Sequence, residues 1–204
     1  AFFADGKVNA AYNAVDRHLH DGRRNKVALY AIDAKDNLEK YTFQEIADAS
    51  NRIGNALKNL GVKKDDRVFV FLPRVVELYT STTGIAKIGA IAGPLFSAFG
   101  PDALRDRLID SEAKVIITNT ALKPKLDEIK ASLPNLEYVI VVGAGDMKLK
   151  PGELSYDEIT AEASEKLECA HLDPADPLYL LYTSGTTSHP NGVVRVHNDT
   201  IGHH

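Results

Sequence analysis

The residues best suited to chemistry lie together at positions 183–192, where the sequence reads TSGTTSHPNG. Five of these ten residues carry a hydroxyl group, and two glycines stand seven positions apart. Glycine lets backbone N–H groups approach an anion closely, and serine and threonine hydroxyls supply further donors. Each hydrogen bond to a charged partner contributes roughly 1.5–3 kcal/mol, so roughly three or four of them can hold a nucleotide tail. This stretch, the hydroxyl-rich loop, is therefore predicted to bind phosphate.

A flexible turn between strands is the plain alternative for a stretch rich in serine, threonine and glycine. The order of the residues favours the phosphate site, because a random turn would rarely place a proline two positions before the second glycine and hydroxyls around the first. The Walker pattern G-x-x-x-x-G-K-[ST] is absent from the sequence. A dehydrogenase would need a G-x-G-x-x-G turn after an early strand, and none is present.

The elements that must position this loop are predicted from hydrophobic patterns. A buried strand at 178–182 leads directly into the loop, and further strands are predicted at 27–32, 66–72, 89–96, 115–118 and 138–142. Helices are predicted at 8–20, 43–60, 75–88, 101–111 and 121–132, and the second of these begins with the capping box TFQE. Continuously apolar strands that alternate with helices predict an α/β fold with mostly parallel sheet layers flanked by helices.

The stretch 143–170 is polar and charged, with one helix predicted at 156–166. It lacks the Pro/Ser/Gly bias of a free tether, so we interpret it as a surface connection within one domain, with a linker as the alternative. The net charge of −4 and the scattered lysines and arginines argue against nucleic acid and membrane partners. A single cysteine, Cys169, forms no internal disulfide and has no catalytic motif around it, and together with the absence of a leader or membrane span it favours a cytoplasmic location.

Residues 182–194, YTSGTTSHPNGVV, resemble the phosphate-binding signature YTSGTTGxPKGV of the adenylate-forming enzymes. That superfamily contains acyl-CoA synthetases, luciferases and the adenylation domains of peptide synthetases. Upstream, AKIGAIAGPLFSAFG at 86–100 and DRLIDSEAKVIIT at 106–118 are similar to the Bacillus-type acetyl-CoA synthetase branch. The resemblance covers essentially all of the chain, and its PLFSAF segment points to short-chain substrates such as acetate.

The resemblance implies that acetate attacks ATP to give acetyl-AMP and pyrophosphate, and that coenzyme A then displaces AMP, with Mg²⁺ and the loop stabilising the pyrophosphate. The loop positions that match the family and would contact ATP are Thr183, Ser184, Gly185, Thr186, Thr187 and Gly192. Ser97 and Ala98 fall where the family forms the wall for thioester formation. Lys123 or Lys125 is a candidate for the 3′-phosphate of coenzyme A, with a solvated surface lysine as the alternative. His189 and His197 lack a third ligand at suitable spacing, so no protein metal site is predicted.

The sequence departs from the family signature at Ser188, where glycine is usual, and at Asn191, where lysine is usual. The lost lysine removes a positive charge beside the triphosphate. The family's later signatures and its catalytic lysine would lie beyond residue 204, so no catalytic residue is assigned. We therefore interpret 1–204 as a partial N-terminal domain without the C-terminal lid, inactive alone. The alternatives are a medium-chain acyl-CoA synthetase fragment and a noncatalytic nucleotide-binding module.

Overall fold

The computed structural model describes residues 2–33, 35–183 and 190–200, and two sheets and six α-helices lie within those ranges. The strands are β1 (Val27–Ile32), β2 (Leu38–Thr42), β3 (Arg67–Phe71), β4 (Ile91–Pro94), β5 (Val115–Asn119), β6 (Tyr138–Val142), β7 (Glu153–Ser155), β8 (Pro177–Thr183) and β9 (Asn191–Val196). The α-helices are α1 (Ala10–Ala14), α2 (Phe43–Asn59), α3 (Val76–Lys87), α4 (Pro101–Asp110), α5 (Lys123–Asp127) and α6 (Tyr156–Glu162). None of these helices is long and apolar enough to cross a membrane.

The main sheet has seven strands in the order β7-β6-β5-β3-β4-β8-β9. Every neighbouring pair is parallel except β8 and β9, which are antiparallel. One face of the sheet packs on α2, α3 and α6, and the other packs on α4 and α5. Side chains alternate along β3, so that Val68 and Val70 join the first core and Phe69 and Phe71 join the second. The predicted α/β class, with mostly parallel layers flanked by helices, is confirmed.

Helix α2 forms as its sequence predicts. The Thr42 hydroxyl accepts from the backbone N–H of Glu45, and the Glu45 carboxylate accepts from the backbone N–H of Thr42. The helix packs closely on α3, because a Cβ atom at Gly84 would lie 2.6 Å from the Ser50 carbonyl oxygen and 2.7 Å from Ile53. Glycine at this position therefore allows the two helices to approach backbone to backbone.

Three strands were not predicted, and each has a local reason. β2 reads LEKYT, which is too polar to stand out, and it pairs with β1 in a separate antiparallel sheet. β7 has only three residues. β9 begins inside the string assigned to the loop, and it is an exposed edge strand. The segment 143–170 contributes β7, which pairs with β6, and α6, whose Tyr156 lies in the core.

Three predicted helices are shorter in the structure: the helix predicted at 156–166 ends at Glu162, and two others are interrupted. The helix predicted at 8–20 consists of α1 and a 3₁₀ turn at Asp16–Leu19, separated by Val15, whose backbone leaves the helical region. The helix predicted at 121–132 consists of α5 and a 3₁₀ turn at Lys130–Ser132. Patterns of apolar residues continued across both breaks, so periodicity alone did not reveal them.

The topology of the main sheet predicts a crevice at its carboxyl edge. β3 and β4 are adjacent and parallel, and the chain leaves β3 for α3 on one face and leaves β4 for α4 on the other. Connections that diverge in this way open a crevice beyond the strand ends, which is where α/β sheets bind ligands. The last residue of β8, next to β4, lies at this edge, and the hydroxyl-rich loop begins there.

Candidate functional site

The two ends of the hydroxyl-rich loop are held together as the last rungs of a β-hairpin. Tyr182 pairs with Gly192, and Thr183 pairs with Asn191. Thr183 is exposed, and its hydroxyl has no hydrogen-bond partner among the residues that the structure describes. The predicted contacts at Ser184, Gly185, Thr186 and Thr187, together with Ser188 and His189, lie outside the described residues. The structure therefore places the base of the predicted loop at the carboxyl edge of the sheet, with Thr183 exposed there.

Gly192 has a packing role at the base of this hairpin. A Cβ atom at this position would lie 3.0 Å from Leu180 Cδ1 and 3.3 Å from Tyr182 Cε1. Contacts of 3.0–3.4 Å are tighter than ordinary carbon contacts, so a side chain here would displace the Tyr182 ring. The sequence predicted Gly192 as a place where the backbone approaches phosphate, and the structure adds that glycine lets the tyrosine ring lie against β9.

The Tyr182 side chain connects the base of the loop to helix α4. Its hydroxyl donates to Asp110 Oδ2 at 2.6 Å, a short distance typical of a hydrogen bond to a charged acceptor. Burial, and then the hydrogen bond and charge of Asp110, raise the pKa of Tyr182 above its usual range, so the phenol keeps its proton. The Arg107 guanidinium lies 5.8 Å from the centroid of the same ring.

The same arginine reaches the segment that carries Ser97 and Ala98. Its guanidinium lies 4.3 Å from the centroid of the Phe99 ring, a distance that permits a cation–π contact. Lys125 fixes the backbone of this segment, because its ammonium donates to the carbonyl oxygens of Ser97 at 3.2 Å and Phe99 at 3.0 Å. Ser97 is half-buried and Ala98 is exposed. The predicted phosphate loop and the predicted thioester wall are therefore joined through α4.

Comparison with known proteins identifies the family to which this arrangement belongs. The family model described as AMP-binding enzyme matches residues 16–203. The chain belongs to the AMP-binding enzyme family. The match includes the carboxyl edge of the main sheet, the base of the hydroxyl-rich loop and the 95–100 segment.

Similar proteins include named CoA synthetases and a CoA ligase. The acetyl-coenzyme A synthetase of Bacillus subtilis is 49% identical over 96% of the chain, and that of Methanothrix thermoacetophila is 39% identical over 96%. Among solved structures, the anthranilate CoA ligase AuaEII in complex with anthranoyl-AMP matches 95% of the chain with a TM-score of 0.85 and 33% identity. The Brucella canis acyl-CoA synthetase matches 93% with a TM-score of 0.83 and 35% identity.

The chain spans about a third of the length of these AMP-binding relatives. It covers 34% of the Bacillus subtilis protein and 32% of the Methanothrix thermoacetophila protein. It covers 35% and 33% of the two solved chains. The activity of the whole protein therefore belongs to the proposal below.

Within this AMP-binding fold, Lys123 lies among carboxylates. Its ammonium is 2.8 Å from Asp127 Oδ1 and 3.0 Å from Glu153 Oε1, and the Glu153 side chain is fully buried. Burial opposes the charge on Lys123, but the hydrogen bonds to Asp127 and Glu153 outweigh it and raise the pKa of the lysine. An approach of Lys123 to a coenzyme A phosphate would leave Glu153 with a weaker partner, Lys130, at 3.4 Å. The assignment of Lys123 to coenzyme A stays a prediction. Sequence reasoning missed this ion pair because it missed β7, which carries Glu153.

Two residues considered for metal binding or catalysis, His197 and Cys169, are buried in the structure. His197 is fully buried, and Cys169 is buried 3.7 Å from Asp16 Oδ2. Burial, followed by the charge of Asp16, raises the pKa of the Cys169 thiol to about 12, which opposes a role as a nucleophile. Within 2–33, 35–183 and 190–200, no three His, Cys, Asp or Glu side chains are grouped so that they could hold a metal ion.

Proposed function

We propose that the chain is the phosphate-binding portion of an AMP-forming acetate–CoA ligase, and that residues 1–204 are part of its N-terminal domain. The rest of that domain and a C-terminal lid would lie in the remaining two-thirds that the relatives possess. The substrates of the complete enzyme would be acetate, ATP and coenzyme A, with Mg²⁺ bound to ATP. The names of the relatives support the acyl-CoA ligase class, and the 49% identity to an acetyl-coenzyme A synthetase favours acetate.

One observation carries this proposal: the paired ends of the hydroxyl-rich loop stand at the carboxyl edge of a parallel sheet, on the strand next to β4, and the topology predicts a crevice between β3 and β4 at the same edge. A nucleotide that lies in the crevice would place its phosphates against the loop. The exposed Thr183 hydroxyl and the backbone N–H groups of a glycine-containing loop are donors, and donors are what phosphate oxygens require. The residues at the described base of the loop therefore fit a triphosphate.

In the first step, a carboxylate attacks the α-phosphorus and pyrophosphate leaves. Mg²⁺ supplies part of the charge neutralisation when MgATP is bound. The task of this chain would be to orient the β- and γ-phosphates and to stabilise the charge that develops on pyrophosphate. We propose Thr183 and Gly192 for this task at the base of the loop, and Ser184, Gly185, Thr186 and Thr187 within it. Ser97 and Ala98 would border the path of the coenzyme A thiol.

The 204-residue chain should bind MgATP at one saturable site in equilibrium dialysis. Thr183→Val, which keeps the shape and removes the hydroxyl, should weaken the binding about five- to tenfold, since a hydrogen bond to a charged group contributes about 1.5 kcal/mol or more. Thr160→Val is the matched control, because Thr160 lies on α6 and donates to the Tyr156 carbonyl oxygen, away from the loop. Absence of saturable MgATP binding by the folded wild-type chain would contradict the proposal.

Asn191→Lys should strengthen MgATP binding about three- to tenfold at low salt, and the gain should shrink as the salt concentration rises. Asn191 is exposed at the first position of β9 and pairs with Thr183, so a lysine there restores the family's usual positive charge beside the loop. Asn198→Lys adds the same charge beyond the far end of β9, about 20 Å away, and should have little effect. Equal effects of the two lysines would show that Asn191 is not next to bound phosphate.

A noncatalytic nucleotide-binding module is the second candidate, because Asn191 replaces the family's usual lysine. Acetate-dependent ATP–pyrophosphate exchange distinguishes the two when it is measured on the full-length parent protein. The ligase proposal expects exchange by the full-length protein, whereas a module would bind MgATP without exchange. A medium-chain acyl-CoA synthetase would show exchange with longer carboxylates in preference to acetate.

A further inference from the structure

The base of the hydroxyl-rich loop is connected to α4 through one side chain. Tyr182 is the residue before Thr183, and it faces the same core as Leu180 and α4. Its ring lies against the backbone of Gly192 in the opposite strand, and its hydroxyl bonds to Asp110 at 2.6 Å. The ring therefore touches both strands of the hairpin at the point where the loop leaves them.

Arg107 supports the ring from the helix. Only 9% of this residue is exposed. One guanidinium nitrogen donates to the Ala103 carbonyl oxygen at 2.8 Å, and the Nε–H has no partner among the described residues. The planar group lies near the Phe99 and Tyr182 rings, at 4.3 Å and 5.8 Å from their centroids. A planar guanidinium can lie flat against aromatic faces while it donates in its own plane, whereas a lysine ammonium is a compact point charge without a flat face.

The position of Tyr182 has a geometric consequence for Thr183. Successive side chains in a strand point to opposite faces, so the orientation of Tyr182 determines the orientation of Thr183. A hydroxyl aimed at phosphate contributes its full affinity only when it is already held in place, because ordering it on binding takes up part of the gain. The bond from Tyr182 to Asp110 would supply that order at the base of the loop.

We propose that Asp110 and Arg107 are positioning residues for phosphate binding, which hold the base of the hydroxyl-rich loop through the Tyr182 ring. Neither residue touches the nucleotide in this arrangement. The proposal rests on the proposed function for its ATP-binding consequence, whereas the effect of the two residues on the order of the loop base does not depend on that function.

The test uses Tyr182→Phe, which keeps the ring and removes the hydroxyl, and Asp110→Ala, which removes the acceptor. Tyr41→Phe is the matched control, because the Tyr41 hydroxyl donates to Glu39 Oε2 at 2.7 Å in the separate β1–β2 sheet. Amide hydrogen exchange of residues 181–183 and 191–193 is measured without nucleotide, and MgATP affinity is measured by equilibrium dialysis. Urea unfolding of each variant shows whether it remains folded.

Tyr182→Phe and Asp110→Ala should each increase the rate of amide hydrogen exchange at the loop base about tenfold. Each should also weaken MgATP binding about tenfold, as expected for the loss of one charge-assisted hydrogen bond. The double variant should be no worse than either single variant, since both remove the same bond. Asp110→Asn, which keeps an acceptor, should recover part of the affinity. Arg107→Lys should weaken MgATP binding and increase exchange, although it keeps the charge, whereas Tyr41→Phe should change neither measurement.

Amide hydrogen exchange at the wild-type rate at the loop base of both Tyr182→Phe and Asp110→Ala would overturn the proposal. Faster exchange with unchanged MgATP affinity would overturn it as well, because loop order would then be irrelevant to binding. If the wild-type chain does not bind MgATP, the proposed function fails, and the exchange data alone decide whether Asp110 orders the loop base. A purely structural role would instead lower urea stability and leave the loop-base amides no more affected than the rest of the sheet.

Discussion

Asp16→Ala should lower the free energy of unfolding by about 3–5 kcal/mol, because it leaves the charge of Lys87 buried without its counterion. Lys87 is fully buried at the end of α3, and its ammonium lies 2.9 Å from Asp16 Oδ1 and 2.7 Å from Asn51 Oδ1. Asn51 alone offers a neutral acceptor, which compensates a buried ammonium poorly. Urea unfolding followed by circular dichroism measures the change.

Two further variants show whether the effect comes from burial. Glu165→Ala removes a carboxylate that pairs with Arg52 at 3.0 Å on the surface, and it should change stability by less than about 1 kcal/mol. The double variant Asp16→Leu with Lys87→Met replaces both charges by apolar groups and should recover most of the stability lost in Asp16→Ala. A loss below about 1 kcal/mol in Asp16→Ala would show that water reaches Lys87 and that the pair contributes little.

The elements that could be predicted are those whose signal is local. The capping box at Thr42 and Glu45 fixes the start of α2, and the apolar runs of β3, β5 and β6 occur in the structure within a residue or two of their predicted ends. β2 and β7 could not be predicted in the same way. The first is polar on a small hairpin and the second is too short for a pattern, so both depend on pairing with the preceding strand.

The same distinction applies to the candidate site. Residue type and order placed the phosphate prediction on the hydroxyl-rich loop, and the structure puts Thr183 and Gly192 at its base. Asp110 could not be found from the sequence, because it is an ordinary acidic residue near the end of a helix and its partner lies 72 positions away. Arg107 is similar, since a helical arginine is normally read as a surface residue, and only tertiary packing buries it between two rings.

His197 holds the N-terminal segment on the end of β9. Its ring is fully buried, and its Nδ1 accepts from the backbone N–H of Ala10 at 3.0 Å. Nε2 must then carry the ring proton, and it has no partner among the described residues. A second proton would have to go onto Nδ1, where it would meet the Ala10 N–H. Folding therefore favours the neutral ring.

The stability of the chain should consequently fall as the pH drops from about 6.5 to about 4. Burial lowers the pKa of His197 from 6.5 to about 4; the charge of Asp176 opposes this shift and that of Lys64 adds to it. Between these two values the unfolded chain takes up a proton that the folded chain does not, so acid favours unfolding. A shift of this size corresponds to about 3 kcal/mol of stability, fully present above pH 6.5 and lost by about pH 4.

Urea unfolding of wild type and His197→Asn at several pH values between 7 and 4 isolates this contribution. Asn keeps an acceptor for the Ala10 N–H and does not titrate, so the variant should be less stable at pH 7 and should lose about 3 kcal/mol less than wild type by pH 4. The carboxylates of the chain titrate in both proteins, so their effect cancels in the comparison. His20→Asn is the matched control, because that side chain is exposed; it should follow the wild-type curve. Parallel pH curves for wild type and His197→Asn would show that the folded state accepts the second proton, and that Nδ1 is not committed to Ala10.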